Sequence, residues 1–195
     1  MTTTDPFGIA VFLIVAFIAA GLLHSAWLAS PASRSLQIPV DGGLHFRGRR
    51  LFGANKTVRG FVVMPPAAAI SFCSLGMLLD ATSAELRDSL WPVSNSALTL
   101  LGACAGLGFM LGELPNSFVK RQLGIPPGQP AKGSIATLLS FAADRLDSIL
   151  GMLIAISIVA PTPWMTWVYV IVLGPGIHLC FSVLLYRLGV KVRAA

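Results

Sequence analysis

Residues 112–147 read GELPNSFVKRQLGIPPGQPAKGSIATLLSFAADRLD, and apolar blocks lie on both sides of this stretch. It holds three acids, Glu113, Asp144 and Asp147, and a small basic cluster, Lys120, Arg121, Lys132 and Arg145. Carboxylates at the ends of apolar runs are costly and ask for a partner. A divalent cation carrying a polyphosphate is the partner that engages all of these groups at once.

The surrounding composition sets the class. Of 195 residues, 55% are hydrophobic and 11% charged, whereas soluble domains carry about 25% charged residues. So few charges cannot cover a water-exposed surface. The reading is an all-α polytopic membrane protein, with residues 1–195 forming a single integral membrane domain. The net charge of +6 does not point to nucleic acid, because the basic residues sit in loops between apolar spans. Positive-inside bias and lipid or substrate phosphates account for them there. Cys73, Cys104 and Cys180 lie inside apolar runs without CxxC or Cys/His spacing, so buried packing is expected rather than a disulfide or zinc site.

Five spans are expected, over residues 7–29, 61–79, 94–112, 142–160 and 163–186, each near the ~20 residues a spanning helix needs. The first has no preceding basic region and exceeds a signal-peptide core, so it reads as a retained span. Pro65 and Pro66 predict a kink or a broken first turn in the second. Pro115 predicts that the third span breaks near Glu113 and that a new segment starts there, its free N–H groups open to a phosphate. Pro126, Pro127, Gly128 and Pro130 mark an irregular loop, and Gly174-Pro175-Gly176 a bend in the last helix. Small residues of the third span, such as Gly102, Gly106 and Gly108, permit close helix approach. Trp91 reads as an interfacial anchor, His24 as a packing or interfacial residue and His178 as a packing residue.

Charge sorting orients these spans. Segments 31–60 and 112–147 and the tail hold every Lys and Arg except Arg87. All three fall on one side if the N-terminus is outside and the C-terminus cytoplasmic. Both motif-bearing loops then face the cytoplasm, and the protein resides in the cytoplasmic membrane.

Within segment 41–60, Gly42, Gly43, Gly48, Gly53 and Gly60 let backbone amides approach an anion, and nearby cations supply charge. A basic juxtamembrane loop that binds anionic headgroups has the same composition, so composition does not choose between them. A Walker A loop is excluded, because Asn55 precedes Lys56 and no strand leads in. Asp144 and Asp147, three apart, share one helical face, as do Glu113, Ser117, Lys120 and Arg121.

The series DGG…RGRRLFGANKTVRG, then GELPNSFVKRQLGI, then DRLD before a span resembles the CDP-archaeol synthase family. That family belongs to the integral-membrane CTP-dependent cytidylyltransferases, which include phosphatidate cytidylyltransferase. The resemblance covers essentially the whole chain. It implies a magnesium-dependent nucleotidyltransferase of phospholipid biosynthesis that moves a cytidylyl group from CTP to a membrane lipid phosphate, archaetidic acid-like or phosphatidate-like, and releases pyrophosphate. By the same resemblance Gly53, Lys56, Thr57 and Arg59 hold nucleotide phosphates, and Ser117, Lys120 and Arg121 hold the triphosphate or the lipid phosphate. Asp144 and Asp147 match the paired aspartates that hold Mg²⁺, with Glu113 a further ligand or neighbour. Asp41 serves as a turn residue or a contact. Two departures stand out: Glu113 replaces an aspartate of the family pattern, and loop 124–140 lacks the Lys-Asp pair of the phosphatidate enzymes. The tail chemistry of the lipid and the oligomeric state stay open.

Two other classes also place carboxylates in or beside a membrane. The D-G-x-x-A-R…G-x-x-x-D-x-x-x-D spacing of CDP-alcohol phosphotransferases is absent. A small transporter or lipid-binding scaffold is the non-enzyme alternative, but ion-path carboxylates usually lie near mid-span, and these cluster with cations at one face.

Overall fold

Capping and apolar length account for the first helix. Asp5 accepts hydrogen bonds from the Phe7 and Gly8 amides at 3.1 and 2.8 Å, Pro6 occupies the first turn, and α1 runs over Pro6–Ala29. The computed structural model describes residues 4–129 and 134–187. After a 3₁₀ turn at Pro31–Leu36, β1 (His45–Phe46) and β2 (Arg49–Arg50) form a small antiparallel hairpin. Then follow α2 (Val58–Thr82), α3 (Ala84–Asp88), α4 (Asn95–Gln122), α5 (Ser134–Val159) and α6 (Trp164–Arg187). Lys132, Lys191 and Arg193, counted above among the basic residues, lie outside the described residues, as does the side chain of His178.

Among the described residues, α1, α2 and α4 are long and apolar enough to cross a bilayer, and Trp164–Ile177 of α6 is a shorter apolar stretch. Helix α5 has 26 residues and α6 has 24. The protein is therefore predominantly helical and integral to the membrane.

Helix α4 is the centre of the bundle, packing most extensively on α2 and α5. Its small residues make that possible. A Cβ on Gly102 would lie 2.7 Å from the Ala68 carbonyl oxygen, and one on Gly106 2.7 Å from that of Met64. On the opposite face Gly108 and Gly112 meet the backbone of Asp147 and Gly151 so closely that no Cβ fits at any of the three glycines. The expected close approach is present. Phe72, Trp91, Leu98, Leu153 and Ile156 fill the core at one side of this crossing.

Several local expectations are corrected. Helix α4 does not break near Glu113; it continues through Pro115 to Gln122. Proline removes one amide donor, but the turn after it is fastened to α5 through Asn116 and Lys120. Gly124 ends the helix, with φ +75° and the Ile125 amide bonded back to the Lys120 carbonyl. Helix α2 likewise starts at Val58 and runs through Pro65 and Pro66, held there by the glycine face of α4. The expected bend at Gly174-Pro175-Gly176 falls within the uninterrupted run of α6. Trp91 is no interfacial anchor: it is buried, with Nε1 donating to the Pro161 carbonyl at 2.9 Å. The cysteines are free, as expected, but Cys73 and Cys104 are half-buried and Cys180 is exposed, so they are not core residues.

The two ends of the bundle are cleanly sorted. At one end the Asp5 amide donates to Ser89, the Trp91 indole to Pro161 and the Thr166 hydroxyl to Pro6. At the other, the hairpin and the acids and cations of the motif stretch converge.

Candidate active site

A buried aspartate shapes the loop that enters the site. Both oxygens of Asp41 are engaged: the Gly43 amide and the Arg50 guanidinium bond one, and the Phe52 and Gly53 amides bond the other at 3.1 and 3.0 Å. Burial by itself would raise its pKa, but these bonds outweigh it and hold the carboxyl at about 2. Asp41 thus organises the loop. Arg47 and Gly48 both have positive φ, the requirement of a two-residue turn of the primed type. Arg49 then reaches the Gln122 carbonyl, and Phe46 packs 5.8 Å from Phe118, which seats the hairpin on the end of α4.

This seating brings distant residues together. Lys56 forms an ion pair with Glu113 of α4. The other oxygen of Glu113 accepts from the Ser148 hydroxyl at 3.0 Å, and the same hydroxyl lies 3.2 Å from Asp147 Oδ1. Asn116 Nδ2 bridges the aspartates, 2.6 Å from Asp144 Oδ1 and 2.9 Å from Asp147 Oδ2. Lys120 completes the series by pairing with Asp144. A continuous polar path therefore runs Lys56, Glu113, Ser148, Asp147, Asn116, Asp144, Lys120.

Most of the residues singled out from the sequence join this region. Arg121 is 9% exposed, and its Nε and Nη1 have no hydrogen-bond partner. It lies beside Gly53, where an added Cβ would be 3.5 Å from Arg121 Cδ and 3.1 Å from Pro127. Ser117 is buried on α4, and Thr57 is buried at the start of α2, whose N-terminus rather than a broken α4 points into this end of the bundle. Arg59 sits in the first turn of α2, within electrostatic reach of His24. The sequence reading missed Asn116 and Ser148. Their spacing held a signal: Asn116 stands three after Glu113 and four before Lys120, and Ser148 four after Asp144.

Beneath the network lies a cavity of about 380 Å³. Leu13, Ile14, Phe17 and Ile18 of α1, Met152 of α5 and Val170 of α6 give it apolar walls. Glu113, Asp144, Arg145 and Ser148 line its polar end, where the Arg145 guanidinium stacks 3.3 Å from the Phe141 ring centroid. His24 lines it too.

The fit to a metal can be judged from the donors. Among the described residues no group of three His, Cys, Asp or Glu side chains is arranged to hold a metal ion. Two carboxylates nevertheless converge on the single nitrogen of Asn116, both with hard oxygen donors. Mg²⁺ is usually held by one or two carboxylates plus water and substrate phosphate, so Asp144 and Asp147 suit it in kind and number.

Fold and site together define a polytopic helical membrane protein with a charged site set at the end of an apolar cavity. Comparison with known proteins is specific. A family model described as CarS-like, CDP-archaeol synthase, matches residues 9–193. The chain is 30% identical to the CDP-archaeol synthase of Methanocaldococcus jannaschii over 154 residues, covering 78% of this chain and 81% of that one. It is 33% identical to that of Pyrobaculum arsenaticum over 155 residues, covering 78% and 79%. A solved structure described as an intramembrane enzyme for archaeal membrane lipid biosynthesis aligns with TM-score 0.59 and 26% identity, over 91% of this chain and 94% of the other. The protein belongs to the CDP-archaeol synthase family.

Proposed function

We propose that this protein transfers a cytidylyl group from CTP to a lipid phosphate held in the bilayer, forming a CDP-activated lipid and pyrophosphate. One observation carries the reading: a single cavity joins apolar walls to Glu113, Asp144, Arg145 and Ser148. Such a space suits a substrate that is hydrocarbon at one end and phosphate at the other.

The chemistry requires alignment and charge neutralisation rather than a strong base. An oxygen of the lipid phosphate, already anionic, attacks the α-phosphorus of CTP. A new P–O bond forms, and the bond to the β-phosphate bridge breaks as pyrophosphate leaves with the electron pair. Lys56 and Arg59, with the Gly53 turn and the Thr57 backbone, hold nucleotide phosphates. Lys120, Arg121 and Ser117 meet the departing pyrophosphate or the incoming lipid phosphate. Asp144 and Asp147 hold Mg²⁺, with Glu113 oriented by Lys56 and Ser148 as their neighbour. Bound there, Mg²⁺ supplies Lewis-acid neutralisation of phosphate charge.

The orientation belongs to the same proposal. Five spans, with the N-terminus outside and the C-terminus inside, put the charged end of the bundle at the cytoplasm, where CTP is found. The sorted helix ends and the basic loops support it.

The deciding experiment incubates purified protein with radiolabelled CTP and archaetidic acid or phosphatidic acid, with and without Mg²⁺. A CDP-lipid forms only with Mg²⁺, and Asp144→Asn or Asp147→Asn lowers its rate at least ~100-fold without unfolding the protein. Near-normal turnover by both variants removes the metal assignment. No CDP-lipid from either acceptor removes the functional reading.

A further inference from the structure

The cavity has one cation in its wall to which the proposed reaction gives no task. Along α5 the lining residues run Asp144, Arg145, Ser148, Ile149 and Met152. The wall of that helix therefore changes from charged through polar to apolar over about two turns. Glu113 and Asp144 put two acids at the charged end, and Arg145 is the one lysine or arginine among the described residues that line the cavity. Lys56 and Lys120 pair with those acids, and Arg50 and Arg87 pair with aspartates elsewhere. Among the described residues Arg145 forms no such ion pair.

Its guanidinium is held in place all the same. Nη1 donates to the Phe141 carbonyl at 3.3 Å, and the Phe141 ring centroid lies 3.3 Å from the guanidinium carbon. Both contacts come from one turn back on α5, and they fix the group without neutralising its charge. Nε is enclosed and unpartnered, whereas Nη2 makes no hydrogen bond among the described residues and is not enclosed. An oriented fork with its charge unspent and an open donor suits a phosphate oxygen. The neighbouring acids make such a group necessary, because a phosphate that enters along the apolar walls is repelled by Glu113 and Asp144.

We infer that Arg145 binds the phosphate of the lipid substrate through its open Nη2 and its positive charge. The inference rests on the reading that a lipid phosphate occupies the cavity. It divides the cations of the site. Arg145 takes the lipid phosphate, and Arg121, which lies beside the Gly53 turn, is left to the phosphates of the nucleotide. Arg145 is then a substrate-contacting residue and moves no proton.

The test is calorimetric titration of the purified full chain in detergent, without CTP, with a short-chain dialkyl glycerol phosphate and with the same dialkyl glycerol lacking the phosphate. Arg145→Gln should weaken binding of the phosphate lipid about 10–100-fold, the size of one lost charge-assisted hydrogen bond. Arg145→Lys, which keeps the charge but not the fork, should bind better than the Gln variant. Affinity for the phosphate-free lipid, affinity for CTP and melting temperature should stay unchanged in both. A Gln variant that binds the phosphate lipid like wild type, an equal fall for the phosphate-free lipid, or an equal fall for CTP would each overturn the inference. Wild-type protein that binds the phosphate lipid through Arg145 but makes no CDP-lipid would instead sink the functional reading alone. Wild-type protein that makes CDP-lipid while the Gln variant binds the acceptor equally well would sink this inference alone.

Discussion

Asn116 places one amide nitrogen between two carboxylates that would otherwise repel each other. Residues that orient metal ligands are typically worth about 10–100-fold in affinity or activity. Asn116→Ala should therefore lower CDP-lipid formation by about that factor and raise the Mg²⁺ concentration needed for half-maximal rate, with little change in melting temperature. Asp41 acts through the backbone. Its carboxyl titrates at about 2, below the ordinary 3.8, because burial is outweighed by bonds from Gly43, Arg50, Phe52 and Gly53. A carboxyl with a lowered folded pKa adds stability that is fully present above the ordinary value and lost as pH falls through the folded one. Amide-exchange protection at Phe52 and Gly53 should thus hold at neutral pH and fade from pH ~4 toward 2. Asp41→Asn should show the faded pattern at every pH. His24 and Arg121 belong with these residues, since among the described residues one shielded nitrogen of His24 and two of Arg121 have no hydrogen-bond partner.

Among the helices, the crossing of α4 and α5 controls the site. Gly108, Gly112 and Gly151 let the two backbones touch beside Asp147, and that contact sets Glu113 against Ser148. Gly112→Ala or Gly151→Ala forces a Cβ into backbone, at a typical overpacking cost of about 1–3 kcal/mol. The melting temperature should fall, and turnover should fall further than stability alone explains, because the carboxylates part. Gly176→Ala in α6, where no described residue lies within 4 Å of an added Cβ, is the control and should do neither. The two prolines of α2 and Pro115 of α4 illustrate the same dominance of packing. Local propensity argues for a break at each, yet the helices continue because neighbouring helices hold both sides.

For the molecule as a whole, the testable property is its orientation. Glu85 lies exposed at the end that carries α3, and Arg47 lies exposed on the hairpin at the charged end. In intact cells, a cysteine at position 85 should react with an impermeant maleimide, and one at position 47 only after the membrane is opened. The reverse pattern would place the carboxylate network outside, away from cytoplasmic CTP. The polar end of the cavity lies with Glu113 and Asp144 rather than with Trp91 and Pro161, so the same labelling locates it.

Membrane residence, helical class and the pairing of Asp144 with Asp147 were legible from residue order alone. They depend on apolar length, charge scarcity and the three-residue spacing of one helix, all of which act between neighbours in the chain. The partnership of Lys56 with Glu113, the bridging by Asn116 and Ser148, the burial of Trp91 and the exposure of His24 to the cavity were not legible in that way. Each depends on how helices far apart in the chain cross, and glycine contacts between backbones set those crossings at distances that hydropathy and spacing do not encode.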